Sequence, residues 1–182
     1  MRKTIKLTLT TLLISFLVSL GLISVACRRD DKPPTPPTPP DPAQSEAARV
    51  AMVDWLECEE CEENQLENVL KYRAQLEPLM ISTLLKGVAP ANRELYKREL
   101  EKRHDELVEY SKTHPQSKPT LPKEEFVNLY LDRLTAQYQT RAAKALSAMG
   151  GDKSKQALQT ALAEQKREDV KEVINQALRE IK

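Results

Sequence analysis

Apolar residues recur at spacings of three and four along most of the chain beyond residue 45, a pattern that is typical of amphipathic α-helices. No segment shows the alternation of β-branched and polar residues that would indicate a sheet. We therefore predict an all-α domain, with helices over about residues 46–61, 64–73, 76–87, 90–113, 123–149, 153–165 and 169–181.

The same spacing predicts the details of these helices. Pro78 is expected in a first turn, and the helix that begins at 123 is expected to break or kink near Thr140. Residues 114–122 hold three prolines and are predicted to form a loop. Side chains that can cap a helix start are Ser45, Asp152 and Asp169. The predicted inward faces include Leu76, Leu79, Met80, Leu84, Tyr96, Leu100, Leu107, Tyr110, Phe126, Leu129, Tyr130, Leu134 and Tyr138.

The N-terminus has the three-part order of a secretory signal peptide. Three basic residues precede an uncharged apolar stretch over 7–25, and small residues then lead into Cys27. The residues Ser24 and Ala26 suit a signal peptidase. The apolar stretch is also about long enough to cross a bilayer, so an uncleaved anchor is a second interpretation.

The residues Ile23-Ser24-Val25-Ala26-Cys27 resemble the lipobox of bacterial lipoproteins. The resemblance implies that residues 1–26 are removed and that the Cys27 thiol is acylated, which would attach the chain to a membrane. Ordinary secretion with a free Cys27 is the alternative. Arg28 stands where some Gram-negative bacteria place Asp to retain a lipoprotein in the inner membrane, so we expect the outer membrane if the organism is of that type.

A proline-rich segment follows the cysteine and favours the tethered interpretation. Residues 33–42 contain seven prolines among ten residues, which favours an extended polyproline conformation. The linker, residues 27–44, would then span roughly 50 Å at about 3.1 Å per residue. We predict that it holds the helical domain, residues 45–182, away from the membrane.

Charge argues against nucleic acid as a partner. The chain has 28 basic and 27 acidic residues, and residues 1–26 contain three basic and no acidic ones, so the remainder has a formal charge of −2. Binding to a phosphate backbone usually requires an excess of positive charge. No phosphate-binding loop or nucleophile elbow is present, no small-molecule substrate or cofactor is evident, and His104 and His114 are expected at the surface.

The end of the chain resembles a HEAT-like α-solenoid. The residues that carry the resemblance are the Arg-Ala-Ala-Lys-Ala-Leu run from Arg141 to the Gly150-Gly151 pair, then Ala157-Leu158 and Ala161-Leu162, then Asp169-Val170 and Ala177-Leu178. A weaker echo covers residues 65–87, whereas residues 90–122 depart from the pattern. The resemblance implies stacked helix pairs that present a surface to protein partners. An irregular helical bundle is the alternative.

The sharpest local motif is Cys58-Glu59-Glu60-Cys61. After export, the two cysteines are candidates for a disulfide, and two buried free thiols are the alternative. A redox pair is disfavoured because the surrounding glutamates raise thiol pKa and because the pair is predicted to lie late in a helix. A metal site is disfavoured because only two thiols are present.

These observations predict a lipid-anchored, non-enzymatic protein-binding or scaffold lipoprotein of the bacterial cell envelope. Its partners would be the membrane, through Cys27, and an envelope protein. The alternative is an exported thiol/disulfide factor that uses Cys58 and Cys61. The charged helix over 91–113 and the stretch Tyr130–Arg141 are the predicted contact surfaces.

Overall fold

The structure, a computed structural model, describes residues 42–58, 60–61 and 63–182. Their α-helices are α1 (Pro42–Glu57), α2 (Glu63–Lys71), α3 (Arg73–Lys86), α4 (Pro90–Tyr110), α5 (Lys123–Met149), α6 (Asp152–Glu164) and α7 (Glu168–Glu180), with a short 3-10 turn at Pro115–Ser117. Within these residues no β-strand occurs, which confirms the all-helical prediction. The same part of the chain holds no helix that is both long and apolar enough to cross a membrane. The predicted signal peptide and Cys27 lie outside the described residues.

The longest helix, α5, is the centre of the domain. It has 27 residues and packs against each of the other six α-helices. Contacts along its length give the directions of its neighbours. The start of α3 meets the end of α5, where Arg73 bonds to Gly150, and the end of α3 meets the middle of α5, where Gln139 bonds to Leu84. The helix α3 is therefore antiparallel to α5.

The last two helices fold back along the second half of α5. The Ser147 hydroxyl donates to the carbonyl oxygen of Ala177, and the amide of Gly151 donates to the carbonyl oxygen of Lys182. These contacts join the C-terminal ends of α5 and α7, so the two helices run parallel. The helix α6 connects them in the opposite direction.

The main hydrophobic core surrounds the second half of α5. Buried residues there cover more than half of the helix circumference, because Ala142, Ala143 and Ala145 are fully buried, whereas Lys144 and Ala148 are exposed. This differs from the single apolar face that the spacing predicts. Alanine is a good helix former in any environment, so its burial is not visible in a hydropathy pattern, and its small side chain lets neighbouring helices approach closely.

A smaller second core holds the first half of α5 against α4. Its buried members are Phe126, Val127 and Leu131, and residues of α4 and the intervening loop cover them. The Lys123 ammonium pairs with the Asp105 carboxylate at 2.6 Å. Helices α4 and α5 thus form an antiparallel hairpin whose outer part has its own core. We call residues 90–133 the hairpin.

Several predicted helix boundaries are wrong by a few residues. The helix α1 begins at Pro42, inside the predicted linker, and it ends at Glu57, so the cysteine pair lies beyond the helix. The helix α3 begins at Arg73, which places Pro78 inside it rather than in its first turn. The helix α5 is one helix with no break near Thr140, because its alanine-rich second half is enclosed by other helices.

The predicted caps are also wrong. Ser45 lies within the first turn of α1, and Gly151 and Arg167 stand at the cap positions of α6 and α7 without a side-chain bond. Asp169 accepts the amide of its neighbour Val170 instead. Ser45, Asp152 and Asp169 therefore lie within a few residues of the starts of α1, α6 and α7, but none of them caps its helix.

Four residues that were predicted to face inward are exposed, namely Leu79, Tyr110, Leu129 and Tyr130. They lie at helical spacing next to residues that are buried or partly buried. In these helices the apolar residues extend beyond the surface that neighbouring helices cover. The hydrophobic pattern alone therefore overestimates the buried face. The remaining members of the predicted faces are buried or partly buried.

Candidate functional site

The cysteine pair forms a corner between α1 and α2. Cys58 directly follows the last residue of α1, and the structure places the sulfur atoms of Cys58 and Cys61 against each other, with their Cα atoms 5.3 Å apart. Both residues are half-buried and pack against the main core. Both cysteines thus lie outside α1 and α2, where the approach of their sulfur atoms does not distort a helix.

Two side chains of α5 bind the end of α1 at this corner. The Gln137 amide donates to the carbonyl oxygen of Leu56 at 2.9 Å, and the Arg141 guanidinium donates to that of Cys58 at 3.4 Å. The last carbonyl groups of a helix have no hydrogen-bond partner within the helix. Gln137 and Arg141 therefore supply donors to carbonyl oxygens at the end of α1. Gln137 and Arg141 are four residues apart and therefore project from the same side of α5.

Trp55 completes the contact between α1 and α5. Its indole N–H donates to the carbonyl oxygen of Arg141 at 3.0 Å, and the Arg141 guanidinium lies over its ring, 5.4 Å from the centroid. Burial lowers the pKa of Arg141, because desolvation disfavours its charged form. The end of α1 is therefore held against α5 by three hydrogen bonds to backbone carbonyl groups and by the position of the Arg141 guanidinium over the ring of Trp55.

A carboxylate next to the corner joins three helices. Glu57 accepts hydrogen bonds from the phenols of Tyr96 and Tyr138, the latter at 2.7 Å, and the two phenol oxygens lie 3.0 Å apart. Desolvation, followed by these hydrogen bonds, raises the pKa of Tyr138 far above its ordinary range, and desolvation also raises that of Tyr96. Both phenols thus remain neutral donors to Glu57.

The contacts at the corner stabilise the packing of α1 against α4 and α5. Glu57 already binds two phenols, and Arg141 reaches the backbone of Cys58 rather than a sulfur atom. The sulfur atom of Cys58 lies 3.0 Å from the carbonyl oxygen of Trp55. A nucleophilic thiol would benefit from a neighbouring cation or a helix N-terminus, whereas Cys58 follows the C-terminal end of α1. The disulfide and the redox activity of Cys58 and Cys61 stay predictions.

The two histidines lie on the hairpin, and the surface prediction is wrong for one of them. His104 is only 7% exposed, packs edge-on against Phe126 and lies 3.2 Å, through Nε2, from the carbonyl oxygen of Leu121. His114 is half-buried and stacks on Tyr110 with centroids 4.0 Å apart. His104 follows Leu100 by four residues and therefore lies on the apolar face of α4. This spacing in the sequence indicates that the histidine is buried.

The hairpin also carries most of the exposed apolar surface. Seven large apolar residues of the described part are exposed, and five of them belong to the hairpin, namely Leu95, Val108, Tyr110, Leu129 and Tyr130. Isolated exposed apolar residues are common and need no explanation. Their concentration on one hairpin makes this element the candidate contact surface. It contains the predicted surface on α4 and only residues 130–133 of the predicted stretch 130–141.

No family model, no curated protein and no solved structure matches the chain. Within the described residues, no group of three or more histidine, cysteine or acidic side chains is arranged to hold a metal ion.

Proposed function

We propose that the chain is a non-enzymatic protein-binding lipoprotein of the bacterial cell envelope. An acyl group on Cys27 attaches it to the membrane, the proline-rich linker holds the domain away, and the hairpin contacts an envelope protein. The observation that carries the binding surface is the concentration of five exposed large apolar residues on the hairpin.

The hairpin is built to keep this surface in place. Its own core, around Phe126 and Leu131, fixes α4 against α5 beyond the main core. Surface apolar residues on a rigid element bind at a lower entropic cost than those on a mobile loop. Charged residues of both signs lie between the exposed apolar residues along α4.

We also propose HEAT-like stacking for residues 141–181. The parallel directions of α5 and α7, with α6 antiparallel between them, support it, because stacked helix pairs alternate in this way. In a regular solenoid each repeat contacts only its neighbours. The contact of α5 with all six other helices therefore limits the proposal to this part of the chain.

The experiment compares capture of envelope proteins by the full chain and by two sets of variants. The hairpin variant combines Leu95→Ser, Val108→Ser and Leu129→Ser. The matched control combines Val50→Ser and Leu79→Ser, which change exposed apolar residues of α1 and α3. We expect the wild type and the control to retain the same protein, identified by mass spectrometry, and the hairpin variant to lose it. Equal capture by all three would refute the proposed surface.

A thiol/disulfide factor is the second candidate, favoured by the position of Cys58 and Cys61 in a turn where their sulfur atoms meet. The variant with both cysteines changed to Ser separates the two functions. Normal folding with loss of the cellular role would favour the redox function. Retained partner capture with a lower melting temperature would favour a structural disulfide.

A further inference from the structure

A cavity of about 620 Å³ lies at the C-terminal end of α5. Helices α1, α2, α3, α5 and α7 and the Gly150-Gly151 turn supply its walls. Its volume lies within the range of about 300–1,000 Å³ that is typical of small-molecule sites. The distance along α5 from Phe126, in the hairpin core, to Ala148, in the cavity wall, is about 33 Å at 1.5 Å per residue. The cavity is therefore a separate feature from the hairpin surface.

One part of the cavity wall is apolar. Trp55, Leu66, Met149 and Val173 line it, and Trp55 and Met149 are otherwise buried. Ala148 contributes an exposed methyl group from α5, where a larger side chain would fill part of the space. An apolar ligand of modest size could therefore bury its surface here.

The charged residues around the cavity are mostly basic. Arg73, Lys144 and Lys182 line it together with one acidic residue, Glu180. The guanidinium of Arg73 donates to the carbonyl oxygen of Gly150 at 3.2 Å, which fixes this cation at the edge. The Glu180 carboxylate accepts a hydrogen bond from Gln176 at 2.8 Å, which offsets part of its negative field.

The basic character continues along the surface between α5 and α7. A shallow depression there shares Lys144 and Val173 with the cavity, and its other cations are Arg133, Arg141 and Arg167. Its one carboxylate, Asp169, pairs with Arg167 at 2.6 Å. A basic groove on a domain whose total charge is nearly neutral would attract anions toward the cavity.

We propose that this cavity binds a small amphipathic anion, with an alkyl or aromatic group against Trp55 and a carboxylate or phosphate group between Arg73 and Lys144. Apolar burial supplies most of the affinity, and the cations set the orientation and the preference for negative charge. The proposal does not depend on the function of the hairpin, and the two can fail separately.

The test uses the fluorescence of Trp55, which is the only tryptophan of the chain. The full chain, in a neutral detergent, is titrated with hexyl phosphate and with hexanoate, and the controls are hexanol and hexylammonium. We expect a saturable change with one or both anions, weakened by salt, and no saturable change with the neutral or cationic compound. The two anions distinguish a phosphate-selective from a carboxylate-selective site. Equal binding of all four compounds, or of none, would overturn the proposal.

Variants locate the binding. Ala148→Phe should abolish the change by filling the cavity, and Lys144→Gln should weaken binding about fivefold, as expected for an exposed charge pair of about 1 kcal/mol. Glu180→Gln should tighten binding slightly, and Lys97→Gln, on α4, should have no effect. Because Ala148→Phe also changes the surroundings of Trp55, calorimetry is used to measure binding to this variant independently of the fluorescence. Unchanged affinity in both Ala148→Phe and Lys144→Gln would place the binding elsewhere and contradict the proposal.

Discussion

The turn between α3 and α4 depends on a glycine, and Gly87→Ala is expected to destabilise the domain strongly. Gly87 has φ +71° and ψ −141°, and its amide donates to the carbonyl oxygen of Thr83 at 2.8 Å. A Cβ atom at this position would lie 2.5 Å from the Cγ2 methyl of Thr135 on α5. The substitution thus adds backbone strain and an overlap with the central helix.

The two contributions can be given magnitudes. A non-glycine residue in this backbone region costs about 1–3 kcal/mol. Overlap in a packed contact costs about 1–3 kcal/mol more. We therefore expect a loss of about 2–6 kcal/mol, which corresponds to a fall in melting temperature of roughly 6–24 °C at about 3–4 °C per kcal/mol for a domain of this size.

A double-mutant cycle separates the two contributions. Thr135→Ser removes the methyl group but keeps the hydroxyl that donates to Leu131 and accepts from Arg93. Urea denaturation, followed by circular dichroism, gives the unfolding free energy of the wild type, both single variants and the double variant. We expect Thr135→Ser to recover about 1 kcal/mol in the Gly87→Ala background. A loss below about 1 kcal/mol in Gly87→Ala would refute this account of the turn.

Three further predictions concern the corner and its neighbours. Changing Cys58 and Cys61 to Ser should lower the unfolding free energy by about 2 kcal/mol, because the disulfide closes a short loop, and alkylation with and without reductant should show one protected pair in the wild type. Gln137→Leu should cost about 1–2 kcal/mol in thermal denaturation, because it leaves a carbonyl group at the end of α1 without this donor, whereas an unchanged melting temperature would contradict its role. The raised pKa values of Tyr96 and Tyr138 stabilise the fold below the ordinary tyrosine pKa of about 10, so the unfolding free energy should fall as pH rises above that value. Changing both tyrosines to Phe should flatten this decline, and an unchanged slope would show that they do not cause it.

The sequence pattern predicts the helices well because their stops are chemically distinct. Gly150-Gly151 ends α5, and the prolines from Pro115 to Pro122 separate α4 from α5. These signals act within a few residues, so they can be recognised without knowledge of the tertiary structure. The wrong prediction of a break near Thr140 arose because the stability of α5 comes from helices that are distant in sequence.

The contacts of the corner and the cavity could not be predicted in the same way. Gln137 and Arg141 are ordinary helix residues in the sequence, and their partners lie more than 80 residues away. The cavity likewise depends on five helices, none of which shows a ligand motif. The burial of His104 could be recognised from its spacing to Leu100 on α4, and it was missed because histidine is usually treated as a surface residue.

The most direct test of the proposed function is photo-crosslinking in living cells of the source organism. A photoreactive amino acid is placed at Leu129 on the hairpin or, as a control, at Leu79 on α3, each with Cys27 intact or changed to Ser. The account predicts a discrete adduct with one envelope protein from position 129, little or none from position 79, and loss of the adduct when Cys27 is changed. Equal adducts from both positions, or an adduct from position 129 that does not depend on Cys27, would contradict a membrane-tethered module that binds through its hairpin.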